Sequence, residues 1–263
     1  MKLRSALFAC ICLLGGSASA EPPLRVDLEL VLAVDVSYSM ELDEQQVQRQ
    51  GYVAAFREPE LIRAIENGPL GRIAVTYVEW GGAAVQVMPW TLIDGRATAA
   101  QFAEALRRQP IRRIAFTSIS NTLAFTRRLF DVSSFQGSRR VIDISGDGPN
   151  NSGVPAPVAR NSTIARGVVI DGLPIMLKSQ PDTASIPDLD AYYRECVIGG
   201  DGAFLVKVSD TGEFAKAILR KLIIEISGQE VSRLSPAMVR QAQYGKDYNC
   251  FIGEEMQERM IGR

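Results

Sequence analysis

Histidine is absent from all 263 residues. Without an imidazole the chain can build neither a Ser-His-Asp nor a Cys-His relay, and it has no histidine-ligated zinc and no histidine general base. Excess charge of one sign is also missing: 29 Lys and Arg face 30 Asp and Glu, giving a formal net charge of −1. A sequence-independent nucleic-acid binder needs clustered surplus base to neutralise phosphates, so that class is excluded, and no electrostatic membrane-surface anchor is expected. No C-x-x-C pair occurs among the four cysteines, which removes the usual redox and zinc motifs. The nucleophile elbow G-x-S-x-G, the phosphate loop G-x-x-x-x-G-K-[ST] and a G-x-G-x-x-G after a strand are all lacking too. What remains is ample for folding. A hydrophobic fraction of 46% over this length supplies a full core and rules out a disordered chain.

The first residues read as an address. Lys2 and Arg4 form a charged start, Ala6–Leu14 a short apolar run, and Ala18-Ser19-Ala20 a small-residue cleavage site, so 1–20 is expected to be a signal peptide cut after Ala20. The apolar run is about half of the ~20 residues needed to span a bilayer. No other stretch is long and apolar enough to hold the product in a membrane, and the mature chain is expected in the periplasm or secreted. Cleavage would remove Cys10 and Cys12, leaving Cys196 and Cys250. In an oxidising compartment they allow one intramolecular disulfide, contributing about 4 kcal/mol in the chain-entropy model. Two buried free thiols are the alternative.

Along the chain, strands alternate with helices. Leu28–Val34 is a nearly unbroken apolar run, as suits a parallel strand covered on both faces, and it ends at Asp35. Glu41–Glu58 is predicted helical, stopping before Pro59 and carrying Val47, Gly51, Ala54, Ala55 and Phe56. Ile73–Val78 is a second strand, with Ala84–Met88 and Thr91–Ile93 as a neighbour and an edge. Helices follow at Thr98–Arg108 and Asn121–Phe130, then a strand at Arg139–Ser145, a turn-rich stretch Gly146–Gly153, a helix at Ala156–Arg166 and a strand at Gly167–Leu173. After a loop at Ser179–Pro187 come a short helix Asp188–Glu195 and a last strand Ala203–Val206. Asp210 and Glu213 resemble a capping box for a helix to Ile226, closed by Gly228. This order predicts an α/β fold, a doubly wound, mostly parallel central sheet flanked by helices, in one domain over 21–228. Residues 229–263 read as a polar tail tied back through Cys250.

The chemistry-bearing residues sit where strands end, the usual ligand crevice of open α/β sheets. Asp35-Val36-Ser37-Tyr38-Ser39 follows the first strand, and alternation in an extended turn would point Asp35, Ser37 and Ser39 the same way. Thr117 precedes the helix near Asn121, and Asp147 follows the strand ending at Ser145. Two carboxylates and three hydroxyls are hard oxygen donors, matched to Mg²⁺, Ca²⁺ or Mn²⁺. Asp143, inside a strand, reads as a buried carboxylate held by hydrogen bonds, and Trp80 and Trp90 as packing or rim residues. Tyr38 either lines the site or packs beneath it.

On these residues the sequence resembles the von Willebrand factor A family, over roughly Asp27–Ile226. Asp35, Ser37 and Ser39 match the D-x-S-x-S of its metal-ion-dependent adhesion site, Thr117 its threonine, and Asp147 before Gly148 its last aspartate. Two departures stand out: Ala115-Phe116 where the family often has glycines, and Gly146 where a threonine often precedes the aspartate. Beyond the core, the chain is similar to exported bacterial proteins with such a domain, a Cys-containing tail and no assigned activity.

The resemblance implies a non-enzymatic, protein-binding role. Ser37, Ser39 and Thr117 would contact a divalent cation, Mg²⁺ foremost, with Asp35 and Asp147 often acting through water. An open coordination position would take a Glu or Asp carboxylate of a protein partner. Two alternatives are a metal-assisted hydrolase of the phosphoester class, with Asp35 as nucleophile or ligand, and an A-like domain that binds partners without metal.

Overall fold

The structure, a computed structural model, describes residues 22–177, 185–228, 239–241 and 248–262. The expected signal peptide and most of the Ser179–Pro187 loop lie outside the described residues. Within them, seven strands form one sheet: β1 (Leu24–Asp35), β2 (Ile73–Trp80), β3 (Ala84–Ile93), β4 (Phe135–Gly146), β5 (Val169–Pro174), β6 (Phe204–Val206) and β7 (Val239–Gln241). Their order is β3-β2-β1-β4-β5-β6-β7, with β3 and β7 antiparallel at the edges and the rest parallel. The α/β doubly wound expectation therefore holds.

β1 is apolar on both faces because both are covered. Leu28, Leu30, Leu32 and Val34 face one core, shared with helices α1 (Leu42–Ala55), α2 (Pro59–Glu66), α3 (Arg96–Arg107) and α7 (Phe214–Ser227). Val31 and Ala33 face the other, shared with α4 (Ile119–Asp131), α5 (Ala156–Ile164) and α6 (Leu189–Tyr192). The chain leaves β1 toward β2 on one side, whereas β4 lies on the other. That reversal opens a crevice at the carboxyl ends of β1 and β4, which run in register with Val34 beside Ser145.

Several local expectations are corrected. Pro59 starts a helix, α2, and does not merely bound the one before it, because its fixed φ and missing N–H suit a first helical turn. α1 ends at Ala55, and its buried face carries Gln45, Gln48, Arg49 and Tyr52, while Ala54 is exposed. Asp210 accepts from the Gly212 amide (2.7 Å) and caps a single 3₁₀ turn, so the capping box with Glu213 does not form and α7 opens at Phe214. Gly228 does terminate α7, in the left-handed conformation (φ 61°) that a side chain would oppose. Ala84–Met88 and Thr91–Ile93 are one strand.

Past residue 229 the chain adds the edge strand β7 and a helix, α8 (Ile252–Ile261). Cys196 and Cys250 are joined as a disulfide, with Cα atoms 5.6 Å apart. Beside it, Tyr248, Ile252 and Met256 pack on the second core. A Cβ at Gly253 would run into the Asn150 carbonyl, so α8 lies directly against the loop that follows β4.

Candidate metal centre

The three loops expected to carry oxygen ligands meet at the crevice between β1 and β4. Asp35 is the last residue of β1 and fully buried; its Oδ1 accepts the Ser37 amide at 2.7 Å, folding the chain into a tight turn. That turn presents Ser37 Oγ to Ser39 Oγ at 2.7 Å. Ser39 Oγ in turn donates to Asp147 Oδ1 at 2.6 Å, closing a contact across 108 residues. Thr117 reaches the group through its backbone: its amide donates to Asn151 Oδ1 (2.9 Å) and its carbonyl accepts the Asn151 amide (2.8 Å). Asp35, Ser37, Ser39 and Asp147 are thus adjacent, with Thr117 buried at their edge and α4 starting just beyond it. Ser118 caps α4 by accepting from the Asn121 amide, and the helix's positive end faces the same rim.

The electrostatics of Asp35 are unusual. Burial, and then the neighbouring Asp147 carboxylate, push its carboxyl from an ordinary 3.8 up to about 8, against the pull of hydrogen bonds from Ser37. Its second oxygen, Oδ2, is buried with no hydrogen-bond partner among the described residues. A buried carboxylate oxygen in that state costs free energy unless a cation or a proton meets it. Among the described residues, no group of three or more Cys, Asp or Glu is placed to hold a metal. Any ion here therefore depends on hydroxyls as well as carboxylates. Asp35, Ser37, Ser39 and Asp147, together with Thr117 held to the Asp147 loop through Asn151, would supply an all-oxygen donor set of that kind, which fits a hard divalent cation.

Two side chains form the floor of this crevice: Trp80, expected as a packing or rim residue, and Tyr193, which sequence reasoning missed. Gly146 precedes Asp147, and a Cβ there would come within 2.7 Å of Asp35 Oδ2, 2.8 Å of Tyr193 Oη and 3.0 Å of the Trp80 ring. The space that a threonine side chain would need is filled by Tyr193 and Trp80, which accounts for the glycine. Tyr193 Oη and Trp80 Nε1 are both buried without hydrogen-bond partners among the described residues, as is Asp35 Oδ2. Tyr193 opens a single π-helical turn, Tyr193–Val197, that also contains Cys196. Burial, then the Asp35 carboxylate, hold its phenol well above the usual tyrosine range. Nothing in the sequence flags this residue, since it lies in another element, far along the chain.

The loop after Asp147 is anchored from below. Asn150 is fully buried; its Oδ1 accepts the Ser120 amide (3.0 Å), and its Nδ2 donates to Val154 O (3.2 Å) and to Glu254 Oε1 of α8 (2.7 Å). The disulfide-tied α8 thereby bears on the segment that carries Asp147. Trp80 is core, and Trp90 is fixed by donating to Leu129 O at 3.0 Å. Tyr38 is exposed, above the site and not beneath it. Asp143 is buried and paired with Lys221 at 2.6 Å, on the α7 side of the sheet.

Sheet order, crevice and loop arrangement define a von Willebrand factor A-like fold, and solved structures agree. The chain is similar to a von Willebrand factor type A protein from Catenulispora acidiphila (16% identity, TM-score 0.55, covering 76% of this chain and 43% of that one). It is also similar to proximal thread matrix protein 1 from the mussel byssus, in a structure described as having a zinc-occupied MIDAS motif (14% identity, TM-score 0.55, 78% and 49%). A third is the pilus adhesin SpaC from Lactobacillus rhamnosus GG (11% identity, TM-score 0.58, 77% and 31%). The chain spans less than half the length of each, and at these identities the likeness is one of fold. More particularly, residues 25–230 match the model of the family described as protein of unknown function DUF1194, and the chain belongs to that family. No curated protein matches it.

Proposed function

We infer that this chain is an exported, divalent-cation-dependent protein-interaction domain. Asp35, Ser37, Ser39, Thr117 and Asp147 hold the cation, Mg²⁺ foremost and Ca²⁺ or Mn²⁺ by the same hard-oxygen chemistry. The bound ion supplies an open coordination position and partly uncompensated positive charge, which a partner's Glu or Asp carboxylate fills. The chain's own residues do the rest. Ser37 and Asp147 fix the two ends of the oxygen chain, while the floor of Tyr193, Trp80 and Gly146 keeps Asp35 out of bulk water. The reading assigns no bond-breaking step.

One observation carries this reading: the Ser37–Ser39–Asp147 oxygen chain closes beside a buried, unpartnered oxygen of Asp35 at the sheet's switch point. The zinc-occupied motif of the mussel protein supports an ion at this position in the same fold. The signal-like residues 1–20 and the Cys196–Cys250 disulfide support export. Calorimetric titration of EDTA-stripped protein with Mg²⁺, Ca²⁺, Mn²⁺ and Zn²⁺, beside Asp35→Ala, tests it. Saturable binding that Asp35→Ala abolishes, with an unchanged circular dichroism spectrum, is expected. Binding that survives in Asp35→Ala would sink the assignment.

A further inference from the structure

Two aromatic side chains flank the candidate ligands and contribute nothing to the core. Tyr38, between Ser37 and Ser39, is 61% exposed, and Phe116, next to Thr117, is 56% exposed. Phe116 is also the one non-glycine residue with positive φ (64°) among those described. A bulky residue is strained in that region, and Phe116 lies against Gly82 with more than half of its surface still open to solvent.

The surrounding loop enforces this conformation. The Gly82 amide donates to the Ala115 carbonyl (2.7 Å) and the Ser118 amide to the Gly81 carbonyl (3.0 Å), clamping the chain on both sides of Phe116-Thr117. Tyr38 is braced as well. The Arg113 guanidinium donates to the Tyr38 carbonyl (3.1 Å) and the Met40 carbonyl (3.3 Å) and lies 5.0 Å from the Tyr38 ring centroid. The two loops are joined by a bridge between Ser37 and Ile114, whose amide donates to Val36 O at 3.0 Å. Rigid, pre-placed aromatics lose little conformational entropy on binding, which is why they anchor interfaces.

We propose that Tyr38 and Phe116 form an aromatic rim, so that the partner presents its acidic side chain beside a bulky apolar one. An acidic–apolar segment is the occupant, not a run of carboxylates. This inference rests on the cation reading above for the acidic half of the motif. Charge and surface agree with it: a cation and Arg113 on the positive side, two apolar rings beside them, and exposed aromatics that the fold itself does not use.

The experiment is selection of a random displayed 12-residue peptide library on the mature protein in Mg²⁺, repeated in EDTA, followed by affinity measurement on Phe116→Gly. Glycine suits the positive φ, so this variant keeps its fold and binds Mg²⁺ within about twofold of wild type. The expected result is enrichment of an Asp or Glu with a Leu, Ile, Phe, Trp or Tyr within two positions. Affinity of the best such peptide should fall at least tenfold in Phe116→Gly. Enriched acidic peptides without an apolar neighbour, no enrichment, or unchanged affinity in Phe116→Gly would each overturn the proposal. If apolar-containing peptides bind equally in EDTA and calorimetry shows no metal uptake, the cation reading fails and the aromatic rim stands alone.

Discussion

Buried carboxylates gather in two places in this molecule, and the chain treats them differently. Under α7, Asp143 and Glu225 meet the ammonium of Lys221, all three fully shielded, with Asp171 beside them accepting the Phe204 amide at 3.0 Å. Burial alone would push the Lys221 ammonium to lose its proton, but Asp143, Glu225 and Asp171 outweigh it and hold the group above its ordinary range. At the sheet's rim, the charge acting on Asp35 is another carboxylate, Asp147, and one Asp35 oxygen has no partner among the described residues. The core cluster carries a counter-ion of its own, one ammonium for three carboxyls, although Glu225 Oε2 has no hydrogen-bond partner among the described residues. The rim cluster is built from the same residue type, at the point where the crevice opens, and among the described residues it has no cationic side chain against Asp35 in its place. On the function proposed above, buried charge serves cohesion in the first case and recognition in the second.

The largest way to break this contrast is to remove the internal cation. Lys221→Met leaves the carboxyls of Asp143, Glu225 and Asp171 buried together and should cost about 3–5 kcal/mol in urea unfolding at pH 7. The loss should shrink as pH falls and those groups take up protons. An unfolding midpoint that does not move would show that the cluster is relaxed by water, and the contrast would collapse.

Next in size is supplying the external cation. At 100 times its dissociation constant, Mg²⁺ should raise the unfolding free energy of wild type by about 2.7 kcal/mol. Asp35→Asn should show no such gain, whereas Lys221→Met, if it folds, should show all of it. Equal stabilisation of Asp35→Asn would place the ion elsewhere.

Smallest is the pH response of the EDTA-treated protein. Asp35 is held up to about 8, by burial first and Asp147 second, and Asp171 to about 6 by burial first, both from an ordinary value of 3.8. A carboxyl whose folded pKa is raised binds more protons in the native state than in the unfolded one between those limits, so stability falls as pH rises from about 4 to 8. Asp35 contributes about 2 kcal/mol of the fall between pH 6 and 8, at 1.36 kcal/mol per pH unit with incomplete titration, beside whatever Glu225 adds, its carboxyl also held well above its ordinary range by burial. Asp35→Asn should remove its share of the slope across the whole window from about pH 4 to 8, leaving below about pH 6 the part that Asp171 contributes. A wild-type profile level from pH 6 to 8 would mean that Asp35 is ionised throughout.

Much of this was legible before any coordinates. β1 announces itself because both its faces are apolar. Asp35, Ser37 and Ser39 are bound together by covalent spacing alone, in a loop that the end of β1 must produce. Alternating strands and helices impose a parallel, doubly wound sheet, and such a sheet fixes where its crevice lies. The places where sequence reasoning fell short share one cause. α1 buries Gln45, Gln48 and Arg49, polar residues that a hydrophobic pattern assigns to solvent. They go inside because Gln48 donates to Ser145 Oγ (2.8 Å) and Arg49 pairs with Glu79, partners supplied by other elements.

The sequence by itself determined the fold class, the grouping of Asp35, Ser37 and Ser39 in one loop and the two cysteines free to pair, since each follows from local spacing or from burial of a continuous apolar run. Only the tertiary structure decided that Ser39 meets Asp147, that Tyr193 and Trp80 close the floor under Gly146, that Phe116 is held at positive φ in the open, and that Lys221 serves one acidic cluster and not the other. Those outcomes depend on which atoms approach across the sheet, and desolvation and Coulomb energies are set by those distances, on which one-dimensional spacing is silent.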